Sequence, residues 1–293
     1  MSENKPKQSK ELISGKGVIS NSARNVRWII SIILILYTCI TFFVVGATLL
    51  NSLKTKSDLI TNFVSLPKAI TFDNFKIVLF KNNFLLYFKN SIILTVCGTA
   101  GSILLSAMAA YGISRYEFKG RGFLKNYFLI GIMVPIQVSV LPLFIILRTI
   151  GLLNTLLGMI LVYMSGISMS CLIFQKFFAT IPKALEESAR LDGGHDVIIF
   201  FCIIVPICKP VIFTMTLITA IGHWNDFYMP MIILGNKNVK TLTLVIYQYI
   251  GQFTRYMSES FAAVVITLIP IIIIYFLFSS QIVEGLTGGA VKG

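Results

Sequence analysis

Six long apolar runs lie between Trp28 and Ser280, and none of them contains an aspartate or a glutamate. A helix needs about 20 consecutive apolar residues to cross the roughly 30 Å hydrocarbon core of a bilayer. In lipid, only helices and closed barrels satisfy every backbone polar group internally. Runs of this length predict an all-α integral membrane protein with six transmembrane helices. Composition agrees: 13% of residues are charged and 56% hydrophobic, where soluble domains carry about a quarter charged.

The predicted spans are TM1 (28–50), TM2 (90–113), TM3 (123–146), TM4 (158–177), TM5 (198–221) and TM6 (261–280). Residues 1–27 read as a basic, flexible tail without hydrophobic periodicity. A basic start before an apolar run also resembles a signal peptide. TM1 exceeds a signal core of about 7–15 residues, so it is expected to remain as an uncleaved span. Residues 51–89 read as an extramembrane loop with some amphipathic helix, and 281–293 as a C-terminal tail. TM5 is the least regular run, because Pro206, Lys209 and Pro210 interrupt it; a bend is expected there.

Six spans place both termini on one side. With the N-terminus inside, fifteen Lys and Arg fall on cytoplasmic segments and ten outside. The short loop 114–126, with Arg115, Lys119, Arg121 and Lys125, favours N-in/C-in, since short loops follow the positive-inside rule most strictly. Six lysines in the 51–89 loop pull the other way, but long loops carry less weight. The net charge of +13 is spread among apolar spans without a basic, aromatic-interleaved patch. That pattern anchors helices at headgroups and does not suit nucleic acid.

Cys39, Cys97, Cys171, Cys202 and Cys208 sit in or beside apolar runs with no metal-ligand spacing, and there are two histidines. They read as buried free thiols; no metal site and no catalytic residue is expected. Gly98, Ser102, Ser106 and Ala110 recur every four residues along TM2, a stripe that lets a neighbouring backbone approach closely. The stripe reads as a tight seam, with a translocation path as the alternative. In TM3, Pro135 and Pro142 flank Gln137, whose amide is either glue between helices or part of a solute path.

Ion-coupled transporters usually hold an ionisable group within the membrane, and these spans hold no acid. The chain also lacks a G-x-x-x-x-G-K-[ST] phosphate loop. It reads as a conduit whose energy comes from a partner.

The partner's docking element is the charged island at 178–197. Thr180 is expected to cap a helix entered through Pro182 and stopped by Gly193-Gly194. Ile181, Ala184, Leu185, Ser188 and Leu191 share one face at helical spacing. The small Ala184, Ser188 and Ala189 would let another protein's groove clasp the helix. Glu186, Glu187 and Arg190 would then fix register by charge.

Glu187-Ser188-Ala189, Gly193, Ile203 and Val205-Pro206 closely resemble the cytoplasmic signature of binding-protein-dependent ABC importer permeases: E-A-A, three residues, G, nine residues, I, one residue, L-P. Ser188 for alanine and Val205 for leucine are the departures. Ala110–Tyr116, Trp224-Asn225-Asp226-Phe227, Leu66-Pro67 with Ile70–Phe75 running into Asn90-Ser91, and Gly285–Gly293 are similar to maltose-type carbohydrate permeases.

The resemblance implies a type I ABC importer permease core over 90–280 in a bacterial plasma membrane. It implies a second, homologous permease subunit, two ATP-binding subunits and an extracellular solute-binding protein. ATP and Mg²⁺ would sit on the ATPase, with no cofactor on this chain. Ala184, Leu185, Glu186, Glu187, Ser188, Ala189, Arg190, Leu191, Asp192 and Gly193 would form the ATPase-coupling loop. Gln137, Trp224, Asn225 and Asp226 are candidates for the solute path or for contact with the binding protein. A peptide or amino acid importer of the same architecture, and an ion-coupled secondary transporter, are the alternatives.

Overall fold

The computed structural model describes residues 21–81 and 83–287. Helix α1 (Asn21–Ser52) is followed by the short α2 (Lys56–Thr61) and α3 (Asp73–Lys76), a π-helical turn at Ile77–Lys81, and α4 (Phe84–Arg115). Then come α5 (Arg121–Met133), α6 (Ile136–Thr149), α7 (Leu156–Ser165), α8 (Ser168–Ala179) and α9 (Ala184–Leu191). Next, α10 (Asp196–Ile199), a π-helical turn at Phe200–Ile204 and α11 (Val205–Ile207) lead into α12 (Lys209–Asn225). The order ends with α13 (Tyr228–Ile233), α14 (Leu242–Gly251) and α15 (Met257–Thr287). No strand occurs among the described residues.

The chain divides into two units, the first ending in sequence at Leu50 and the second starting at Asn51. The first consists of α1 up to Leu50, apolar on every side as a lipid-immersed helix is. Residues 21–27, expected in a flexible tail, already belong to this helix. The rest of the predicted tail, 1–20, lies outside the described residues. At the other end α15 runs on to Thr287, through half of the expected C-terminal tail; 288–293 are outside the described residues.

Among the described residues, three helices are long and apolar enough to cross a bilayer alone: Asn25–Ser52, Phe84–Arg115 and Met257–Phe276. The other three predicted spans are bent pairs. TM3 becomes α5 and α6, at 103° to one another; TM4 becomes α7 and α8, at 42°; TM5 becomes Asp196–Ile207 and Lys209–Asn225, at 82°. Six spans therefore require each pair to act as one crossing. Proline accounts for two of the bends. Pro135 has no N–H to donate and holds Val134 extended. Pro206 and Pro210 flank the TM5 break at Cys208, inside the interval where a bend is expected.

Helix α4, about 48 Å long at 1.5 Å per residue, packs against α7, α8 and α12. Its stripe of Gly98, Ser102, Ser106 and Ala110 is buried. A Cβ added at Gly98 would lie 2.7 Å from the Tyr163 Cβ, so α7 approaches as only glycine permits. Where α7 breaks into α8, Ser102 Oγ donates to Gly166 O (3.2 Å). Ile167 O keeps a helical donor, Cys171 N (2.9 Å), and Ser106 Oγ, 3.3 Å from it, donates at 2.6 Å to Ser102 O in its own helix. The stripe is thus a seam, and its Ser102 satisfies a carbonyl of the broken neighbour.

The 51–89 segment is folded. Asn74 Nδ2 donates to Ser52 O and Lys54 O, and the buried Lys54 ammonium donates to Asn62 O (2.8 Å) and Phe63 O (3.1 Å). Asn90 Nδ2 donates to Asn238 O and Lys240 O, and Ser91 Oγ accepts from Leu242 N. The Asn90-Ser91 pair therefore pins the segment after α13 to α4.

Candidate functional site

The loop helix α9 begins at Ala184, after Pro182 and Lys183 turn the chain. Thr180 does not cap it: its hydroxyl donates back to Phe177 O at 2.7 Å. The stop is the expected one. Gly193 adopts φ +85°, Gly194 N donates to Ala189 O (2.8 Å), and Gly193 N donates to Arg190 O (3.1 Å). This crossed pair of bonds is a Schellman motif, and it needs a left-handed residue where Gly193 stands.

Ala184, Leu185, Glu187, Ser188 and Leu191 are exposed, Leu191 at 90%. Ile181, expected on the same face, is buried, and Ala189 packs against the core beneath the loop. Glu186, expected among the register-setting charges, is also turned inward.

The reason lies on α4. Arg115 Nε stands 2.6 Å from Glu186 Oε1, with side chains 5% and 6% exposed. The contact is ionic and is not aligned as a hydrogen bond. Tyr111 OH donates to Glu186 Oε2 (3.1 Å), and Arg115 Nη2 donates to Ile181 O (3.1 Å). The Tyr111 ring contacts those of Tyr116, Phe178 and Phe200, which seal the pair from solvent. Arg121 closes the end of α4 by donating to Ile113 O and Ser114 O. Arg190 Nη2 donates to Asp196 Oδ1 at 2.9 Å in a half-exposed pair, and that bond raises the guanidinium pKa further above its ordinary value. Burial, reinforced by Asp196, pushes the Tyr116 phenol up as well.

A cavity of about 400 Å³ gathers most of the other candidates. Gln137, Asn225 and Asp226 line it together with Tyr163, Gly166, His223 and Tyr228. Gln137 is exposed there. Asp226 is well satisfied: Oδ1 accepts from Tyr228 N (3.0 Å) and Met229 N (3.3 Å), and Oδ2 accepts from Tyr163 OH (3.1 Å). It starts α13 and ties it to α7. Asn225 Nδ2 donates to Ile221 O (2.9 Å).

Trp224 is separated from this group. It is 7% exposed, packs edge-on against Phe88, and belongs to a core with Val78, Phe84 and Leu242. Its Nε1 has no hydrogen-bond partner among the described residues.

Sequence reasoning missed His223 and Tyr163. Their rings stack at 4.1 Å, and His223 Nδ1 meets Thr99 Oγ1 at 3.0 Å. An isolated histidine in an apolar run was the available signal; its partners come from two other helices.

Residues 102–287 match the family described as "Binding-protein-dependent transport system inner membrane component". The chain is 34% identical over 245 residues to the probable ABC transporter permease protein YurM of Bacillus subtilis (strain 168), covering 83% of this chain and 81% of that one. It is 32% identical over 257 residues to the arabinooligosaccharides transport system permease protein AraQ of the same organism, covering 86% and 90%. The fold matches a chain in the crystal structure of a bacterial ABC transporter that imports the acidic polysaccharide alginate. The TM-score is 0.77 and the identity 22%, over 89% of this chain and 98% of that one.

Proposed function

The chain belongs to the binding-protein-dependent transport system inner membrane components, and from that premise we propose that it forms half of an ATP-driven import pathway for a sugar or oligosaccharide. It is a multi-pass permease of the cell membrane and not an enzyme. ATP hydrolysis is assigned to two separate subunits, and the second half of the pathway to a homologous permease. An extracellular binding protein delivers the solute. The proposal takes six crossings with both termini inside, each bent pair counting as one.

The observation that carries this reading is the presentation of α9. A helix with Ala184, Leu185, Ser188 and Leu191 exposed beside Glu187 offers small and apolar surface to a groove, with charge to fix register. Closure of two ATPase subunits on ATP would move the loop as a rigid body and switch the spans between inward- and outward-facing states. Gly193 holds the turn that ends the helix; Glu187 makes the polar contact.

The sugar assignment draws on the arabinooligosaccharide relative and on the cavity. Gln137, Asn225 and Tyr163 offer amide and phenol groups, which suit hydroxyl-rich solutes. Trp224 and Asp226 serve as its support. A peptide or amino acid would call for a fixed charge to receive its ionic groups, whereas the one carboxyl lining the cavity, Asp226, is already bonded three times.

The test is uptake in proteoliposomes with and without the ATPase subunits. Radiolabelled arabinotriose should enter only with ATP, binding protein and ATPase present. Uptake driven by a proton or sodium gradient without ATP would overturn the proposal.

A further inference from the structure

We propose that the buried Arg115–Glu186 pair is a positioning latch: it sets the roll angle of α9 and fastens the loop to α4, the helix that passes its motion to the other spans. The inference rests on the reading of α9 as the coupling helix and adds which span receives the force.

The orientation of α9 departs from what its composition favours at Leu185, Glu186 and Leu191. A helix lying on an apolar core ordinarily turns its apolar residues down and its charges up. Here Leu185 is 46% and Leu191 90% exposed, while Glu186 is 5% exposed. Taking a carboxylate out of water costs several kcal/mol unless charge and hydrogen bonds compensate. Glu186 finds both at the end of one helix: the Arg115 guanidinium at Oε1 and the Tyr111 hydroxyl at Oε2. Arg115 also binds Ile181 O, at the start of the loop, so one side chain grips it at two points.

The other ion pair of the loop, Arg190–Asp196, is about half exposed and joins the loop to its own continuation. It leads into the TM5 pair that begins at Asp196, and an exposed ion pair of this kind is worth little. Helix α4 reaches more of the bundle, because it packs against α7, α8 and α12. A buried pair is a weak source of net stability, and its best-attested use is to fix register. Fixing the roll of α9 is that use.

The roll angle is read by maleimide labelling of single cysteines in the purified full-length chain, with the native cysteines replaced. Leu191→Cys should react fast and Ala189→Cys, partly buried, slowly. Glu186→Gln and Arg115→Gln should each shrink that ratio by at least about tenfold, a modest demand given what removing one partner of a buried pair costs. Exchanging the charges, Arg115→Glu with Glu186→Arg, should restore part of it. Tyr111→Phe keeps the ring and both charges, so it also reports if the charge variants fail to insert; an intermediate loss is expected.

An unchanged ratio in variants that merely melt earlier overturns the latch and leaves a stabilising pair. ATP hydrolysis by the assembled complex separates the two proposals. If Gly193→Val abolishes binding-protein-stimulated hydrolysis while the cysteine ratio ignores Glu186→Gln, the latch alone fails. If Gly193→Val leaves hydrolysis and uptake unchanged, the coupling reading fails, whatever the ratio does.

Discussion

At the scale of single residues, the loop divides into a part that the sequence announces and a part that it hides. Gly193-Gly194 announces the end of α9, because only glycine takes the left-handed turn freely and the following backbone must close onto Ala189 O. An L-residue at Gly193 would carry a strain of about 1–2 kcal/mol. Gly193→Val should therefore cut ATP-driven uptake by about tenfold or more, on the scale where 1.4 kcal/mol is one decade. Its level in the membrane, measured by immunoblot, should stay the same; wild-type uptake by this variant would contradict the role given to the turn. Glu186 is hidden for a physical reason. Helical periodicity assigns charges to the outside by default, and the residues that overrule it, Arg115 and Tyr111, stand far away in sequence on another helix.

At the scale of elements, apolar length was readable and breakage only partly so. The bend near Cys208 was expected from its prolines; the one at Pro135 was not, and the break between α7 and α8 has no proline to announce it. The stripe on α4 was readable as a seam, and the structure supplies the partner: Tyr163 on α7, against Gly98. Gly98→Leu should overpack that seam and destabilise by about 1–3 kcal/mol, seen as a lower melting temperature in detergent. Gly112→Ala on the same helix is the control, because nothing lies within 4 Å of the added Cβ. It should leave the melting temperature unchanged or raise it, Gly being about 0.5–1 kcal/mol worse than Ala inside a helix. Equal losses in both variants would contradict the seam. Helices α13 and α14 were not anticipated, since six to ten residues of apolar helix between spans leave little periodic signal.

At the scale of the whole molecule, the acid-free apolar runs, the exposed face of α9 and the polar cavity fit the proposed division of labour, in which this chain would hold and move a passage and a partner would supply the energy. The cavity belongs to that account through Gln137, legible as a polar group in an apolar run, and through Asn225, legible in the Trp224-Asn225-Asp226 trio after TM5. Trp224 was singled out with the same trio, by composition, position and resemblance, and its burial against Phe88 makes it a support. Asn225→Ala and Gln137→Ala should each raise the half-saturating arabinotriose concentration for uptake by about three- to tenfold, the loss of about one hydrogen bond. Basal ATP hydrolysis should not change. Altered basal hydrolysis with unaltered half-saturation would remove the cavity from the solute path.

The central claim, that the energy enters through α9, is tested most directly by following ATP hydrolysis and arabinotriose uptake together in proteoliposomes holding the permease pair, the ATPase subunits and the binding protein. The account predicts uptake that requires ATP, ignores imposed ion gradients, and collapses in Gly193→Val with the chain still in the membrane. Uptake that follows an ion gradient without ATP, or that survives Gly193→Val intact, would contradict it.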